Sequence, residues 1–303
     1  MSAEQISKTE SMVRVGIAYI VAFGAGAAWF AWGPTTHHLW LDGLIADLLA
    51  TFVVFAASRM HKNSSFYDAY WSVLPPLLML AWWIESGTPA DDKRAWLVTV
   101  VMLAWAIRLT ANWIYAFPGL HHEDWRYPMV REKAGKAEAV VDLMGIHVFP
   151  TLQVFAGMLP VYVVLTRTDR SINALDIVAL VVGLAAVVLE FAADVQMYRF
   201  ARTRQPGQAM DQGLWSWSRH PNYFGETSFW FALGLFGLAA APGDWWWVFG
   251  GTLAMLAMFL GASIPMMEQR SLERRPSYQD VIDRVSIFFP RPPRKTVSPK
   301  ASG

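Results

Sequence analysis

Apolar runs of roughly 18 to 25 residues, the length that crosses about 30 Å of hydrocarbon as a helix, recur along most of this chain. They fall at about 13–32, 40–58, 66–84, 95–117, 146–166, 174–200, 227–241 and 243–264. No water inside a bilayer satisfies backbone groups, and the runs lack period-two alternation, so each is expected to close its hydrogen bonds within itself. The sequence therefore predicts an all-α fold, a polytopic transmembrane helix bundle of about seven to eight spans. Only the APGD turn, Ala241 to Asp244, separates the last two runs, and 227–241 is short, so 227–264 reads either as two spans or as a re-entrant hairpin. Composition agrees: 54% of the 303 residues are hydrophobic and 16% charged, too apolar for an ordinary soluble domain. With no cysteine, disulfides, thiolate metal sites and cysteine nucleophiles are excluded.

Charge sets the expected orientation. Glu4, Lys8, Glu10 and Arg14 precede or open the first run, so no cleavable leader is expected. With the N-terminus inside, the loops after even-numbered spans hold Arg59 and Lys62, then Arg126, Arg131, Lys133 and Lys136, then Arg199, Arg202, Arg204 and Arg219, and the tail holds Arg270, Arg274, Arg275 and Arg284. The outer loops are poorer, with Lys93, Arg94, Arg167 and Arg170 as exceptions. The positive-inside rule then places these basic loops in the cytoplasm, where phosphorylated cofactors are found. A single domain is expected over 1–292, followed by a disordered cytoplasmic tail at 293–303.

Polar residues crowd four places. SRHPNYFGE, Ser218 to Glu226, opens an apolar segment; Pro221 suits the first turn of a helix, so a helix is expected to begin near His220. Its free N–H groups beside Arg219 suit an anion, while Asn222 and Glu226, four apart, share a face that suits a carboxamide or a ribose. In LEFAADVQMYRF, Glu190, Asp194 and Tyr198 recur at every fourth position before Arg199; carboxylates at membrane level are costly unless paired or lining a wet cavity. HHEDWRYPMVREK, His121 to Lys133, is read as a loop whose Arg126 and Arg131 either bind phosphate or are solvated. Its adjacent histidines lack the spacing of a helical metal pair, and no metal is expected. In FYDAYWS, Asp68 lies beside Tyr70 within the third run and either serves as a proton donor or ketone ligand or pairs with Arg108 of the fourth. FGAGAAW, Phe23 to Trp29, follows no strand and reads as small-residue helix packing, not a nucleotide loop. No nucleophile elbow is present.

GLWSWSRHPNYFGE, together with LEFAADVQMYRF and ERRPSYQDVIDRVSIFFPRPP, resembles the DUF1295 membrane family, which is related to the C-terminal domain of steroid 5-alpha-reductases, over about residues 60–292. That resemblance implies NADPH at the cytoplasmic end of the bundle and a lipid-like enone reaching it through the membrane. It implies that Asn222 and Glu226 hold the nicotinamide and ribose end, that Asp194 falls on a cofactor-binding aspartate, and that Arg126 and Tyr127 fall on a phosphate-binding pair. Two departures stand out: the third run offers Asp68, Tyr70 and Ser72 in place of a Gln-Glu pair, and Trp105 stands where a tyrosine is expected.

The resulting expectation is an NADPH-dependent oxidoreductase reducing an activated C=C bond of a lipophilic substrate. Asp68, Tyr70 and Arg108 are the catalytic candidates. The cofactor candidates are Arg126, Tyr127, Arg131, Glu190, Asp194, Tyr198, Arg199, Arg219, His220, Asn222, Tyr223, Glu226 and Glu268. The partners expected are a lipophilic small molecule and the bilayer, not nucleic acid. Two other readings stand beside it: a membrane methyltransferase using S-adenosylmethionine, for which Glu268 near a basic tail would also serve, and a non-catalytic lipid-binding protein.

Overall fold

The computed structural model describes residues 6–167 and 170–294. Most of the tail expected to be disordered, 295–303, lies outside the described residues. Among the described residues all regular structure is helical. The helices are α1 (Lys8–Trp32), α2 (Leu39–His61), α3 (Tyr70–Ser86), α4 (Lys93–Ala116), α5 (Arg126–Ala134), α6 (Glu138–Val141), α7 (Phe149–Thr166), α8 (Ala174–Thr203), α9 (Pro221–Ala240), α10 (Gly250–Met258), α11 (Ile264–Arg274) and α12 (Tyr278–Arg284). Among the described residues six helical stretches are long and apolar enough to cross a bilayer: α1, α2, α4, the near-continuous run Arg126–Thr166, α8 and the run Gly250–Arg274. Large apolar side chains such as Ile20, Ile107 and Val188 are exposed along them, as lipid-facing surfaces require.

The chain forms two compact units, Met1–Asp176 with Leu233–Gly251, and Ile177–Ala232 with Thr252–Gly303. In the first, Ser7 caps α1 by accepting the N–H of Glu10 at 3.1 Å, satisfying one of the donors every helix start leaves over. α1 packs along α2, and the small-residue reading of FGAGAAW holds at Gly26, where an added Cβ would stand 3.2 Å from the Ala46 carbonyl of α2. α3 packs on α4 and α7. Asp92 caps α4 through the N–H of Ala95 at 2.7 Å. Arg94, two residues on, is buried against Asp176, with Nε to Oδ1 at 2.7 Å and Nη2 to Oδ2 at 3.0 Å. It also donates to the carbonyls of Arg170 and Ser171. This outer-loop exception to the charge rule is therefore a neutralised, desolvated pair rather than a free positive charge.

HHEDWRYPMVREK is not all loop: α5 takes its last part, with Arg126 at the first position. From there the backbone stays helical to Thr166 through a 3₁₀ turn at Gly135–Ala137 and a π-helical turn at Asp142–Val148. Asp142, in that π turn, is a buried hub. It accepts from Ser64 at 2.9 Å and Arg59 at 3.2 Å, lies 3.8 Å from Arg131, and its carbonyl lies 3.1 Å from Nδ1 of His147. Asp68 stands before α3, at the end of a 3₁₀ turn over Ser64–Tyr67, not within the third span. The segment 243–264 also differs from its expected bounds: a 3₁₀ turn over Pro242–Asp244 and further turns to Phe249 precede α10.

In the second unit, α9 begins at Pro221, as the missing proline N–H favours. Gly225 permits close approach to α8, because a Cβ there would run into Cγ of Glu190. α10 passes through a π-helical turn, Phe259–Ser263, into α11. Local widening of this kind often marks functional positions.

Candidate functional site

In the second unit, the segment before α9 is held from two sides. Trp215 donates from its indole to the Ala193 carbonyl of α8 at 3.0 Å, and the Leu214 N–H donates to Gln196 at 2.8 Å. Gly213, with φ of 58°, sits where only glycine is comfortable and where a Cβ would strike Gln196. From the other side comes the end of the chain: the N–H of Arg219 donates to the Ser286 carbonyl at 2.8 Å, the N–H of Arg291 to Trp217 at 2.9 Å, and the Ser218 hydroxyl to Phe288 at 2.7 Å. Two stretches that carry the family resemblance, around RHPNYFGE and around SIFFPRPP, are thus bonded to each other.

Arg219, read as an anion ligand, has its guanidinium largely engaged within the protein. Nε donates to Glu268 at 2.6 Å, Nη2 to the same carboxylate at 3.3 Å, and Nη1 to the carbonyls of Ile282 and Val285 at 2.9 and 2.6 Å. Glu268 also meets His220 Nε2 at 3.2 Å. The His220 ring stacks on Tyr223 at 5.5 Å, and Tyr223 on Phe259 at 4.4 Å, the planes within 9°. Below Glu268, Tyr278 is enclosed by Val281, Val285 and Leu272, and burial pushes its phenol up to about 12.

One turn into α9, Glu226 is buried and held by the Trp230 indole at 2.8 Å. Asn222, on the same face, is half-buried, and its side-chain amide makes no hydrogen bond among the described residues. On α8, Glu190 is buried, Asp194 and Tyr198 are half-buried and Arg199 is exposed. A cavity of about 450 Å³ lies beside the start of α9, lined by Gln196, Gly213, Leu214, Trp217, Pro221 and Pro290. A second, about 330 Å³, is ringed by Arg204, Arg274 and Arg275 with the turn Gln205–Gln208. No carboxylate pairs with these three arginines among the described residues. Burial first, and then the like charges of Arg204 and Arg274, hold the Arg275 guanidinium below its usual value.

The remaining candidates lie in the first unit. Arg126 turns back on Asp124 through Nε at 2.8 Å and Nη2 at 3.1 Å, and Arg131 grips Glu123 with both terminal nitrogens and Ser64 at 3.0 Å. Tyr127 donates its hydroxyl to Asp68 at 2.5 Å, and Ser65 also bonds to that carboxyl. Tyr70 donates to Asp47 at 2.9 Å. Asp47, Asp142, His147, Gln196 and the Arg204, Arg274 and Arg275 ring escaped the sequence reading. The signal available for the last was the arginine pair before Pro276 and the turn-forming RQPG. Among the described residues no cluster of His, Asp and Glu is placed to hold a metal ion.

The uncharacterized protein C594.04c of Schizosaccharomyces pombe is 29% identical over 273 residues, covering 82% of this chain and 79% of its own length. No solved structure matches the chain. The family described as "Protein of unknown function (DUF1295)" matches residues 54–285, which takes in the α9 start, the α8 acidic row and Glu268, and the chain belongs to that family.

Proposed function

We propose that this protein is a membrane-embedded reductase that takes NADPH on the cytoplasmic side of its second unit and reduces an activated C=C bond of a lipophilic enone. The observation that carries this reading is the ring of Arg204, Arg274 and Arg275 around one cavity without a carboxylate. Arg204 and Arg274 are exposed and Arg275 half-buried, so the three guanidinium groups are open to a ligand bearing several phosphates, which would take charge-assisted hydrogen bonds from them. S-adenosylmethionine carries a sulfonium cation and no phosphate, so the same ring disfavours it.

The residues present fit the cofactor's other parts. The uncommitted amide of Asn222 offers a donor and an acceptor to a carboxamide, and Glu226, oriented by Trp230, offers an acceptor beside it. By the family resemblance Asn222 and Glu226 take the nicotinamide and ribose end, and Asp194 falls on a cofactor-binding aspartate. Bound NADPH would supply the hydride. The protein's share is to fix the nicotinamide's position and keep water away, for which the stacked His220, Tyr223 and Phe259 rings and the pinned chain end are the supports. Arg126, Arg131 and Arg219 drop out as first choices for phosphate, since each is already engaged by a carboxylate.

Fluorescence titration of the purified protein, which has 16 tryptophans, tests the reading. NADPH should quench and S-adenosylmethionine should not. Arg275→Ala should weaken NADPH binding about ten-fold or more, as the loss of one charge-assisted contact implies.

A further inference from the structure

The first unit holds a further cavity, unrelated to the cofactor reading. It measures about 280 Å³ and is walled by Phe23 and Gly26 of α1, Ala46 and Ala50 of α2 and Leu74 and Leu78 of α3. Leu80 and Ile84 at its margin are 54% and 67% exposed; on a membrane-spanning bundle that margin opens to hydrocarbon. A single polar side chain lines it, Asp47, itself 1% exposed.

Asp47 is half satisfied. Its Oδ1 accepts from Tyr70 at 2.9 Å, and its Oδ2 has no hydrogen-bond partner. Behind Tyr70 runs a row of buried hydroxyls: Thr51 donates to Tyr70 at 3.3 Å, Thr151 lies 2.8 Å from Thr51, and Tyr67 lies 2.8 Å from Thr151. If each donates to the next, the whole row points toward Asp47 and fixes its carboxyl plane. One turn earlier on the same face of α2, Gly43 lies against the indole of Trp82, whose buried N–H is also without a partner. Native interiors seldom leave such groups unpaired, and each instance calls for an explanation.

We propose that this cavity binds a lipid alcohol, a molecule with an apolar body and one hydroxyl that enters from the bilayer and bonds to Asp47. A hydroxyl donates to an ionised Oδ2 and accepts from a protonated one, so it satisfies either state. A ketone satisfies only the protonated state, and a hydrocarbon neither. The volume lies just under the usual range of about 300–1,000 Å³ for ligand sites, so the pocket seats the hydroxyl end while the rest of the lipid stays in the membrane.

The test uses the full chain in lipid nanodiscs with three matched diazirine probes: a long-chain alcohol, the corresponding methyl ketone and the hydrocarbon. The alcohol should label peptides of α1, α2 or α3 at least about ten-fold more than the hydrocarbon, because a site built for a hydroxyl rejects an analogue lacking it, and the ketone, which satisfies only one protonation state, should fall between them. Asp47→Leu should remove that preference, and Asp47→Asn, which keeps a donor and an acceptor, should retain it. Ala81→Phe, which fills the cavity from α3 without touching the hydroxyl row, should block labelling. NADPH titration should be unchanged in all three variants, so the two readings fail separately. Equal labelling of the wild-type protein by alcohol and hydrocarbon overturns the proposal, as does full alcohol labelling of monodisperse Ala81→Phe. Should Asp47→Leu not fold, the wild-type comparison decides alone.

Discussion

Arg219 and Glu268 meet at 2.6 Å across 49 residues of chain, and the same guanidinium caps two carbonyls at the end of α12. That contact fastens the chain end to the start of α9. Both side chains are mostly buried, at 7% and 14% exposure, so removing one partner leaves the other desolvated and uncompensated. Arg219→Ala should cost about 3–5 kcal/mol. It should lower the apparent melting temperature in detergent and speed protease cleavage after Ser277. Unchanged melting and cleavage would contradict the clamp.

Arg94 and Asp176 make the same point in the first unit, at 3% and 0% exposure. Asp176→Ala should destabilise by about 3–5 kcal/mol, whereas the double variant Arg94→Met with Asp176→Leu should recover much of that loss, since well-packed apolar pairs often replace buried ion pairs at little cost. Thermal melting of Asp176→Ala and of the double variant measures the difference. A double variant no more stable than Asp176→Ala would contradict this account.

Orientation is testable because the chain has no native cysteine. With Arg94 neutralised by Asp176, the outer loops lose one of their exceptions, and the basic segments at 118–145, 199–220 and beyond 270 are expected on the cytoplasmic side. Cysteines placed at 204 and 275 should resist an impermeant thiol reagent on intact cells and react after lysis. Labelling from outside would reverse the assignment.

The all-helical, membrane-spanning character of the chain and the start of α9 were legible because length, hydropathy and the position of Pro221 act locally. Gly26 was legible for the same reason. Asp47, Thr51 and Thr151 were not: each is a lone polar residue in an apolar run, and their row of hydroxyls exists only once α2, α3 and α7 pack. Arg126, Arg131 and Arg219 show the opposite error. Their charge was visible, but their carboxylate partners, in Arg219's case 49 residues away, depend on tertiary placement. The helix Arg126–Ala134 was hidden by its polarity, of which Arg126 and Arg131 go to ion pairs and Glu132 and Lys133 to the exposed surface.

The central claim is that the second unit recognises a phosphorylated nicotinamide cofactor, and direct titration of the wild-type protein with NADPH and with S-adenosylmethionine, read by tryptophan quenching, tests it most directly. The account predicts saturable quenching by NADPH, weakened about ten-fold or more by Arg275→Ala, and none by S-adenosylmethionine. Tight binding of S-adenosylmethionine with no response to NADPH would contradict it and reassign Asn222, Glu226 and their surroundings to a methyl-donor pocket.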